Sequence, residues 1–534
     1  MQSQWFHDLL DTINGIAWGP FTIVLLVGTG IFLTIRLRFI QIRRLPHSFA
    51  VAAGRYDQPE DTGDVTHFQA LCTALSATVG TGNIAGVATA ISIGGPGALF
   101  WMWVTAAVGM ATKYTCCSLA LKYRTTNPDG TVSGGPMYYL ERGLGQKWLA
   151  VLFAIFAAVA SFGIGCMVQA NSVVDGMKSL LPPALDRHVV ADAIPLLGGV
   201  AGYKIALGLF MAVMTGVVII GGIRRIARVA SVLVPFMSVF YIGGSLIIIA
   251  LKAPLVPSVF AQVFQYAFTP VAVGGGFLGM VVMQTIQVGV ARGIFSNESG
   301  LGSAPIAHAA ARARYAVTQG FVAMLEPFTD TLVVCSMTGL VILLSGQWMV
   351  TAPNGDLLYG PGGIARPAKH GGALVLAKPS TAQTEPILSD DGQPIPVLTS
   401  STLTIRSFES VLGRVGVWIV AIGLMLFAYS TMISWSYYGD RSVGYLLGYR
   451  AVMPYRWIFC VFIFIGSVGG LQTVWTIADI LNACMAFPNL IGLLLLSGVV
   501  ARDTRQYLGL LDSGKLPKRA QTSAAALEGQ GSRR

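Results

Sequence analysis

An apolar run of membrane-spanning length, residues 66–93, is interrupted in its middle by the sequence Gly80-Thr81-Gly82-Asn83. A lipid bilayer offers no partners to loose backbone N–H and C=O groups, so a break at that depth must be buried in protein or line a cavity. Broken helices are where many secondary transporters hold a small charged substrate and its coupling ion. The break therefore predicts transport.

The composition indicates a polytopic membrane protein embedded in a lipid bilayer. The 534 residues are 54% hydrophobic and only 11% charged, with a mean hydropathy of +0.66. The net charge of +11 does not predict a nucleic-acid partner, because the basic residues lie in short clusters between apolar runs. The seven cysteines all fall inside apolar runs without metal-ligand spacing, which predicts small core residues.

The chain contains eleven apolar runs long enough to span a membrane, which predicts an all-α fold. We number these helices 1–11; they cover approximately residues 14–36, 66–93, 97–121, 148–171, 203–222, 229–251, 271–295, 316–345, 412–436, 455–471 and 474–500. Lys and Arg are concentrated in the connections after helices 1, 3, 5, 7 and 9 and in the C-terminal tail. This asymmetry predicts an external N-terminus and a cytoplasmic C-terminus in the cytoplasmic membrane. Asp8 and Asp11 precede the first run, so we expect no cleavable signal peptide.

Without helix 1, the remaining ten helices form two sets of five. Helix 2 opens the first set and runs outward, whereas helix 7 opens the second and runs inward, and both are interrupted by glycines (Gly80 and Gly82; Gly274–Gly276 and Gly279). Paired interruptions in opposite orientations indicate inverted repeats around a midplane site. The alternative is that these glycines only allow close helix packing.

These patterns divide the chain into four parts. Residues 1–65 hold helix 1 and a basic cytoplasmic loop, 66–252 the first repeat, 253–503 the second repeat, and 504–534 a cytoplasmic tail, disordered from about residue 512. The connection 347–403 is rich in Pro, Gly, Thr and Ser and lacks apolar periodicity. It should lie outside the membrane, either as a cap or as a disordered insertion.

Four motifs together resemble the alanine or glycine:cation symporter family. They are Ala74-Leu-Ser-Ala-Thr-Val-Gly-Thr-Gly-Asn-Ile-Ala-Gly-Val-Ala88, Gly134-Gly-Pro-Met-Tyr-Tyr139, Gly289-Val-Ala-Arg-Gly-Ile-Phe-Ser-Asn-Glu-Ser-Gly-Leu-Gly-Ser-Ala-Pro-Ile-Ala-His308, and Phe427-Ala-Tyr-Ser-Thr431 with Trp435-Ser-Tyr-Tyr-Gly439. Their order and spacing span nearly the whole chain. Ser299 departs from the family pattern, where alanine is expected, and the connection 347–403 is longer than expected.

The resemblance implies a leucine-transporter-like fold with a 5+5 inverted repeat and an extra N-terminal helix. It also implies sodium-coupled symport of small neutral amino acids such as alanine and glycine, with sodium as coupling ion and no organic cofactor. One sodium ion would lie between helices 2 and 9, bound by the carbonyl groups of Ser76, Val79 and Ala428 and by the hydroxyl groups of Thr431 and Ser430. The alternative for Thr431 is a hydroxyl that bonds back to the i−4 carbonyl of its own helix.

An amino-acid zwitterion needs two opposite partners in a dry site. Its carboxylate suits the backbone amides near Gly82, Asn83 and Ile84 at the start of the outer half of helix 2, where the helix dipole favours negative charge. Thr81 is a further candidate for substrate binding. Its ammonium group suits carbonyls near Thr78 and at the break in helix 7. Gln169, Phe162, Phe277 and Trp435 are candidates for the pocket wall, although a lone aromatic residue is more often part of the core or of an interfacial belt.

Acidic residues inside the membrane are further candidates. Glu326 and Asp330 lie four residues apart in helix 8, either as a proton or cation site or as a structural pair with a buried donor such as Lys113. Arg292, Asn297 and Glu298 close helix 7, which predicts an inner gate or hinge. His308 reads as a hydrogen-bonded loop residue rather than a metal ligand.

Other functions are less consistent with the sequence. Proton-coupled symport through Glu326 and Asp330 is the alternative within transport. A channel would need a continuous polar stripe on several helices, where the sequence has isolated breaks. An enzyme is not expected, because no His, Cys and carboxylate cluster has metal spacing and no nucleophile elbow occurs. A sensor that binds without transporting would share the same site.

Overall fold

A computed structural model describes residues 2–58, 60–178, 180, 200–269, 278–351, 398–469 and 472–517, with short strands between 357 and 386. Among these residues, nine helices are long and apolar enough to cross a membrane, and a bent helix pair makes ten. Leu278–Asn297 is a further helix of 20 residues. Each of the eleven predicted runs thus has a helical counterpart, which confirms an all-α polytopic membrane protein.

The helices keep the predicted order, and we retain their numbers. Helix 1 comprises Gln2–Ala17 and Pro20–Arg36, helix 2 His67–Thr78, Gly82–Gly86 and Val87–Gly94, helix 3 Gly97–Lys122, helix 4 Lys147–Phe162, Gly163–Met167 and Val168–Lys178, helix 5 Gly202–Ile219, helix 6 Gly222–Leu251, helix 7 Leu278–Asn297, helix 8 Ala316–Ala323, Leu325–Pro327, Phe328–Cys335 and Ser336–Ser345, helix 9 Arg414–Leu447, helix 10 Val452–Val468 and helix 11 Gln472–Asp512.

Shorter elements connect the spanning helices. The short helices are Ile40–Arg43, Leu45–Ala52, Pro136–Leu144, Ala253–Leu255, Val256–Tyr266, Ala304–His308, Ser400–Leu412 and Tyr449–Ala451. Antiparallel strands pair Thr125–Thr126 with Val132–Ser133, Val350–Thr351 with Leu357–Tyr359, and Leu374–Ala377 with both Arg366–Pro367 and Thr384–Pro386. The connection 347–403 therefore contains β-structure, which its sequence did not predict.

Helix 2 is broken where the sequence predicted. A capping box of Thr66 and Gln69 starts its inner half, His67–Thr78, and so satisfies backbone groups at the helix start. The outer half, Gly82–Gly94, departs from the inner half by 53°. The predicted break in helix 7 at Gly274–Gly276 lies outside the described residues.

Three of the helices that the structure describes contain a widened turn with π-helical hydrogen bonding. These turns are Gly82–Gly86 in helix 2, Gly163–Met167 in helix 4 and Phe328–Cys335 in helix 8. Such turns are rare and occur frequently at functional sites. All three adjoin the region around the break in helix 2.

Helices 9 and 11 continue well beyond the predicted ends at residues 436 and 500. The added part of helix 9 is polar, but its buried Asp440 accepts hydrogen bonds from Arg441 at 2.7 Å and Arg456 at 2.7 Å. In helix 11, Asp503 pairs with Lys122. Residues 504–512, which the sequence assigned to the tail, are thus the last turns of helix 11. Hydropathy misses both extensions because partners elsewhere in the chain neutralise their charges.

The turn between helices 2 and 3 permits one test of this packing. Gly97 starts helix 3 so close to the end of the short helix Val256–Tyr266, which lies between helices 6 and 7, that an added Cβ would lie 2.0 Å from the backbone oxygen of Tyr266. We expect Gly97→Ala to lower the free energy of unfolding by about 1–3 kcal/mol, because backbone atoms must move. Thermal unfolding of the purified protein in detergent measures the effect.

Gly243→Ala is the matched control, because an added Cβ there meets no atom of the described part of the chain within 4 Å and the residue lies inside helix 6. Its unfolding temperature should stay equal or rise, since alanine favours helix. Equal unfolding temperatures for wild type and Gly97→Ala would contradict the packing described for this turn.

Candidate functional site

The side chain of Asn83 holds the break in helix 2. Its Oδ1 accepts a hydrogen bond from the backbone N–H of Gly80 at 2.8 Å, and its Nδ2 donates to Asp330 Oδ1 at 2.6 Å. The backbone N–H of Asn83 donates to the carbonyl of Gly80 at 3.2 Å. Asn83 therefore satisfies the broken backbone itself, and its predicted role as a substrate ligand does not match this position.

Asp330 connects helix 8 to both helix 2 and helix 7. Besides the bond from Asn83, its Oδ2 accepts hydrogen bonds from Ser296 Oγ at 2.8 Å and Thr331 Oγ1 at 2.7 Å. Asp330 is completely buried. Its carboxylate thus fixes the position of the break relative to the end of helix 7.

Helix 9 lies against the inner half of helix 2 through a reciprocal pair of serines. Ser76 Oγ donates to the carbonyl of Ser430 at 2.7 Å, and Ser430 Oγ lies within hydrogen-bond distance of the carbonyl of Ser76 at 3.2 Å. Val79 and Ala428 are also fully buried. The structure therefore brings together the two segments that carry the predicted sodium ligands.

Oxygen atoms converge on Gly80, the first glycine of the break. A Cβ added to Gly80 would lie 2.6 Å from Thr431 Oγ1 and 3.6 Å from Gln169 Oε1. Thr431 donates its hydroxyl proton to the carbonyl of Phe427 at 2.9 Å, which leaves its lone pairs free. Among the residues that the structure describes, none donates a hydrogen bond to the buried Gln169 Oε1, while Gln169 Nε2 donates to Ile164 O. This unpartnered acceptor suits a cation.

A cavity of about 430 Å³ lies along the outer half of helix 2. Its polar lining consists of Asn14, Thr81, Gly82, Thr89, Ser172, Arg292, Ser400, Ser401, Thr476 and Asp479, and its apolar lining includes Ile164, Val168, Phe295 and Leu424. The first amides of a helix lack intrahelical partners, and Thr81 and Gly82 stand at that position. The cavity can thus accept an anionic group at one end.

Arg292 lies in this cavity. Its sequence position had predicted an inner gate at the end of helix 7 instead. Its guanidinium group stands 5.8 Å from the ring centre of Phe295, and it shares the cavity lining with Asp479. The difference arises because helix 7 continues for five residues past Arg292, to Asn297. The guanidinium group is therefore more than one helical turn away from the end of the helix.

The end of helix 7 is closed by Asn297 and Glu298, in agreement with a structural role there. Asn297 Oδ1 accepts the backbone N–H of Ser299 at 3.0 Å, and its Nδ2 donates to Thr331 Oγ1 at 3.1 Å. Glu298 has a positive φ of 53°, which is uncommon for a residue other than glycine. Whether the two residues act as a gate stays a prediction.

Trp435 is buried but does not line the cavity. Its Nε1 donates to Glu298 Oε1 at 2.9 Å, and its Cβ lies against Gly165. Phe162 packs among aromatic residues of helix 10, including Phe462 at 4.7 Å between ring centres. Neither residue forms the predicted pocket wall in this conformation, because side chains of other helices occupy their faces. Phe277 lies outside the described residues.

Thr78 is buried at the end of the inner half of helix 2. Its hydroxyl group lies 3.3 Å from both carbonyls of the preceding turn, at Ala74 and Leu75. This back-bonding is the usual arrangement for threonine in a helix interior. The side chain of Thr78 is therefore engaged locally, and a contact between its neighbouring carbonyls and an ammonium group stays a prediction.

Glu326 forms a structural pair with Lys113, which was one of the two alternatives predicted for it from the sequence. Its Oε2 accepts from Lys113 Nζ at 2.8 Å, and its Oε1 lies 2.7 Å from His308 Nε2. All three side chains are buried. His308 is hydrogen-bonded, as expected. Asp330 and Glu326 thus serve separate networks in spite of their spacing of four residues.

Several cavity residues were not identified from the sequence. Asp479 is an acidic residue inside the apolar run of helix 11, a signal that could have found it. Asn14 and Ser400 carry no comparable signal, because they reach the cavity only through the packing of helix 1 and of the connection before helix 9. Ser296 lies within a recognised motif, but its bond to Asp330 depends on the tertiary structure.

Comparisons with known proteins agree with these features. The profile of the "Sodium:alanine symporter family" matches residues 3–358 and 381–521. The chain is 44% identical over 506 residues to the sodium/alanine symporter AgcS of Methanococcus maripaludis, covering 94% of this chain and 97% of AgcS. It is 33% identical over 519 residues to the probable sodium/glutamine symporter GlnT of Bacillus subtilis, covering 96% and 93%.

A third relative is the putative sodium/proton-dependent alanine carrier protein YrbD of Bacillus subtilis, 34% identical over 504 residues, which cover 94% of this chain and 92% of YrbD. Among solved structures, MhsT in complex with L-phenylalanine is similar with a TM-score of 0.48 at 10% identity, covering 82% of this chain and 98% of MhsT. The family and these relatives are transporters and not enzymes. The chain belongs to the sodium:alanine symporter family.

Proposed function

We propose that this transporter couples sodium to the uptake of small neutral amino acids, alanine or glycine, by alternating access. The observation that carries the proposal is the convergence of Thr431 Oγ1 and the unpartnered Gln169 Oε1 on Gly80, beside a cavity at the helix break. The printed names of the relatives, which include sodium/alanine and sodium/glutamine symporters, support the same substrate class and ion.

The proposed sodium site uses oxygen atoms of helices 2 and 9. Sodium is a hard cation that suits carbonyl and hydroxyl oxygens, and the Ser76–Ser430 pair keeps the two segments in contact. Thr431 can offer a lone pair because its proton is donated to Phe427 O. The carbonyls of Val79 and Ala428 complete the proposed set. Gln169 Oε1 is an additional candidate, either for sodium or for the substrate ammonium group.

The proposed substrate site lies where the break in helix 2 meets the cavity. The carboxylate of the amino acid would face the amides of Thr81 and Gly82, where the dipole of the outer half favours negative charge. The guanidinium group of Arg292 in the same cavity attracts that carboxylate from outside the site. Asp479 offers the opposite charge for the ammonium group. The lining thus carries both signs, as a zwitterion requires.

In alternating access, the break in helix 2 would be open first to one side of the membrane and then to the other. The cavity follows the outer half of helix 2, the half that the distribution of Lys and Arg assigns to the external side. Sodium binding would stabilise this substrate-competent state, because a ligand shifts a conformational equilibrium only through differential affinity. We place the protein in the cytoplasmic membrane with its C-terminus inside the cell.

Proton coupling remains the second candidate, favoured by the printed name of YrbD as a sodium/proton-dependent carrier. The hydrogen bonds of the two acidic residues of helix 8 argue against a mechanism in which either residue simply binds and releases the coupled proton. Glu326 is bonded at both oxygens to Lys113 and His308, and Asp330 accepts bonds at both oxygens from three side chains. Each carboxylate would have to leave its partners in order to carry a proton through the transport cycle.

Uptake of labelled alanine by the protein in liposomes is the first test. We expect accumulation with an inward sodium gradient and none when potassium replaces sodium. Thr431→Ala should raise the sodium concentration for half-maximal uptake about tenfold or more, because an interaction of a polar group with a charge contributes about 1.5–3 kcal/mol. Thr431→Ser keeps the hydroxyl group and is the matched control, with near wild-type dependence on sodium.

Equal uptake in sodium and potassium would overturn sodium coupling. An uptake that follows an imposed pH gradient without sodium would instead support proton coupling. A Thr431→Ser variant as impaired as Thr431→Ala would remove the hydroxyl group from the proposed ion site.

The unpartnered oxygen of Gln169 gives an independent test of the same region. Gln169→Met keeps the length and apolar contacts of the side chain but removes Oε1, so we expect the affinity for sodium, alanine or both to fall about threefold to tenfold. Uptake of radiolabelled alanine, measured first as a function of sodium concentration and then as a function of alanine concentration, shows which of the two affinities falls. Unchanged half-saturation for both ligands would show that Oε1 faces neither.

A further inference from the structure

The inner ends of helices 2 and 9 meet at a polar junction that the proposed transport site does not use. The backbone N–H of Val132 donates to the carboxylate of Asp64, just before helix 2. The next residue, Ser133, accepts a hydrogen bond from Arg441 of helix 9. Because Val132 and Ser133 are neighbours in one strand, the two helix ends lie at the same depth. The distribution of Lys and Arg assigns this depth to the cytoplasmic side.

This junction closes the same pair of helices that forms the proposed sodium site. Ser76 and Ser430 join helix 2 to helix 9 beside the break. Asp64 lies 12 residues before Ser76. Arg441 lies 11 residues after Ser430. At a rise of about 1.5 Å per residue, the junction is about 15–18 Å from the serine pair. An ion that leaves the site between these two helices toward the cytoplasm must pass the junction.

The start of helix 2 is fastened to the connection between helices 7 and 8. The backbone N–H of Asp64 donates to Ala310 O at 2.8 Å. In return, the backbone N–H of Arg312 donates to Val65 O at 2.8 Å. Arg124, just after helix 3, donates to carbonyl groups of both segments, at 2.7 and 2.8 Å. The two segments are therefore held as one piece. We call residues 62–65 and 309–313 the inner unit.

The side chain of Asp64 reaches from the inner unit to a β-hairpin. This hairpin consists of the strands Thr125–Thr126 and Val132–Ser133 and the turn between them. Asp64 Oδ2 accepts the backbone N–H of Val132 at 2.8 Å, and the side chain is 2% exposed. Its Oδ1 faces Arg224 Nη2 of helix 6 at 3.4 Å, but the side chain of that arginine is 70% exposed, so water weakens the pair. The bond to the hairpin is therefore the stronger of the two contacts.

The hairpin is held on its other side by helix 9 and by the turn after that helix. Ser133 Oγ accepts from Arg441 Nη1 at 3.1 Å. Arg441 is itself paired with Asp440 at 2.7 Å, which fixes its position. In the turn of the hairpin, Asp129 Oδ2 accepts from the hydroxyl group of Tyr449 at 2.6 Å. These two bonds associate the hairpin with helix 9, so that the single bond from Asp64 marks the boundary with the inner unit.

We propose that Asp64 is a gating residue, which keeps the cytoplasmic side of the transport path closed by binding the inner unit to the hairpin on helix 9. This inference rests on the proposed function, since it concerns the path by which ion and amino acid leave. Opening moves the inner unit away from helix 9 and breaks the bond between Asp64 Oδ2 and the N–H of Val132. A carboxylate suits this task, because it binds a backbone N–H strongly where water is excluded and is well hydrated once the junction opens.

Chemical modification of an introduced cysteine measures this opening directly. Ser434 lies on helix 9 one turn beyond Ser430, on the same face, and is completely buried. In inside-out membrane vesicles, a thiol reagent that does not cross the membrane should modify the parent variant Ser434→Cys slowly. We expect added Asp64→Ala to increase this rate about threefold or more, because a larger share of the molecules is then open. Mass spectrometry of the peptide that contains position 434 distinguishes this reaction from that of the native cysteines.

Two controls accompany this measurement. Asp64→Asn keeps an oxygen that can accept the N–H of Val132, so its rate should stay near that of the parent. Asp512→Ala removes an aspartate that pairs with Arg44 on the same side of the membrane but outside the junction, and it should not change the rate. An unchanged rate in Asp64→Ala would overturn the proposal. A faster rate in Tyr449→Phe alone would also overturn it, because the moving boundary would then lie between the hairpin and helix 9.

Val132→Pro removes the same hydrogen bond from the other partner, because proline has no backbone N–H. It should increase the rate in the same way, and it tests the gate even if Asp64→Ala does not fold. A lower unfolding temperature with an unchanged rate of modification would show that the contact is only structural. The measurement needs neither sodium nor alanine, so the gate can be tested even if uptake is independent of sodium. Where uptake is sodium-coupled, Asp64→Ala should raise the half-saturating external sodium concentration about threefold.

Discussion

The arrangement of the whole molecule depends on how the loose backbone of helix 2 finds hydrogen-bond partners inside the membrane. Asn83 supplies them: one side-chain amide accepts the N–H of Gly80 and donates to Asp330 on helix 8. Asp330 in turn holds Ser296 at the end of helix 7. Three helices thus share one polar junction. Since an unpaired backbone group at this depth is costly, the break and its junction can exist only together.

The two buried networks divide the molecule by chemistry. Around Gly80 the groups are neutral oxygens with an acceptor to spare, an environment that can bind a cation and release it again. Around Glu326 the carboxylate is held at both oxygens, by the ammonium group of Lys113 and by the ring of His308, an environment that resists change. Transport needs the first kind of site, whereas the second gives the helices a fixed point against which they can move.

Much of the fold could be predicted because a bilayer demands long apolar helices and leaves visible marks where they break. The break at Gly80 and the approach of Ser76 to Ser430 follow from the helix 2 and helix 9 motifs. The surroundings of Arg292 and Trp435 do not, since their partners Asp479 and Glu298 lie far away in sequence. The charged ends of helices 9 and 11 were also missed, because hydropathy does not register charges that distant residues neutralise.

The widened turns in helices 2, 4 and 8 bear on how such a chain can change during evolution. A π-helical turn holds one residue more than an α-helical turn, and each residue of an α-helix advances the chain by about 100°. Deletion of one residue within Gly163–Met167, for example, would return this turn to α-helical hydrogen bonding, while Gln169 and the residues after it keep their faces. The loss of a single residue at these three turns can therefore be absorbed locally, whereas the same deletion in a regular α-helical turn would rotate the following half-helix by about 100°.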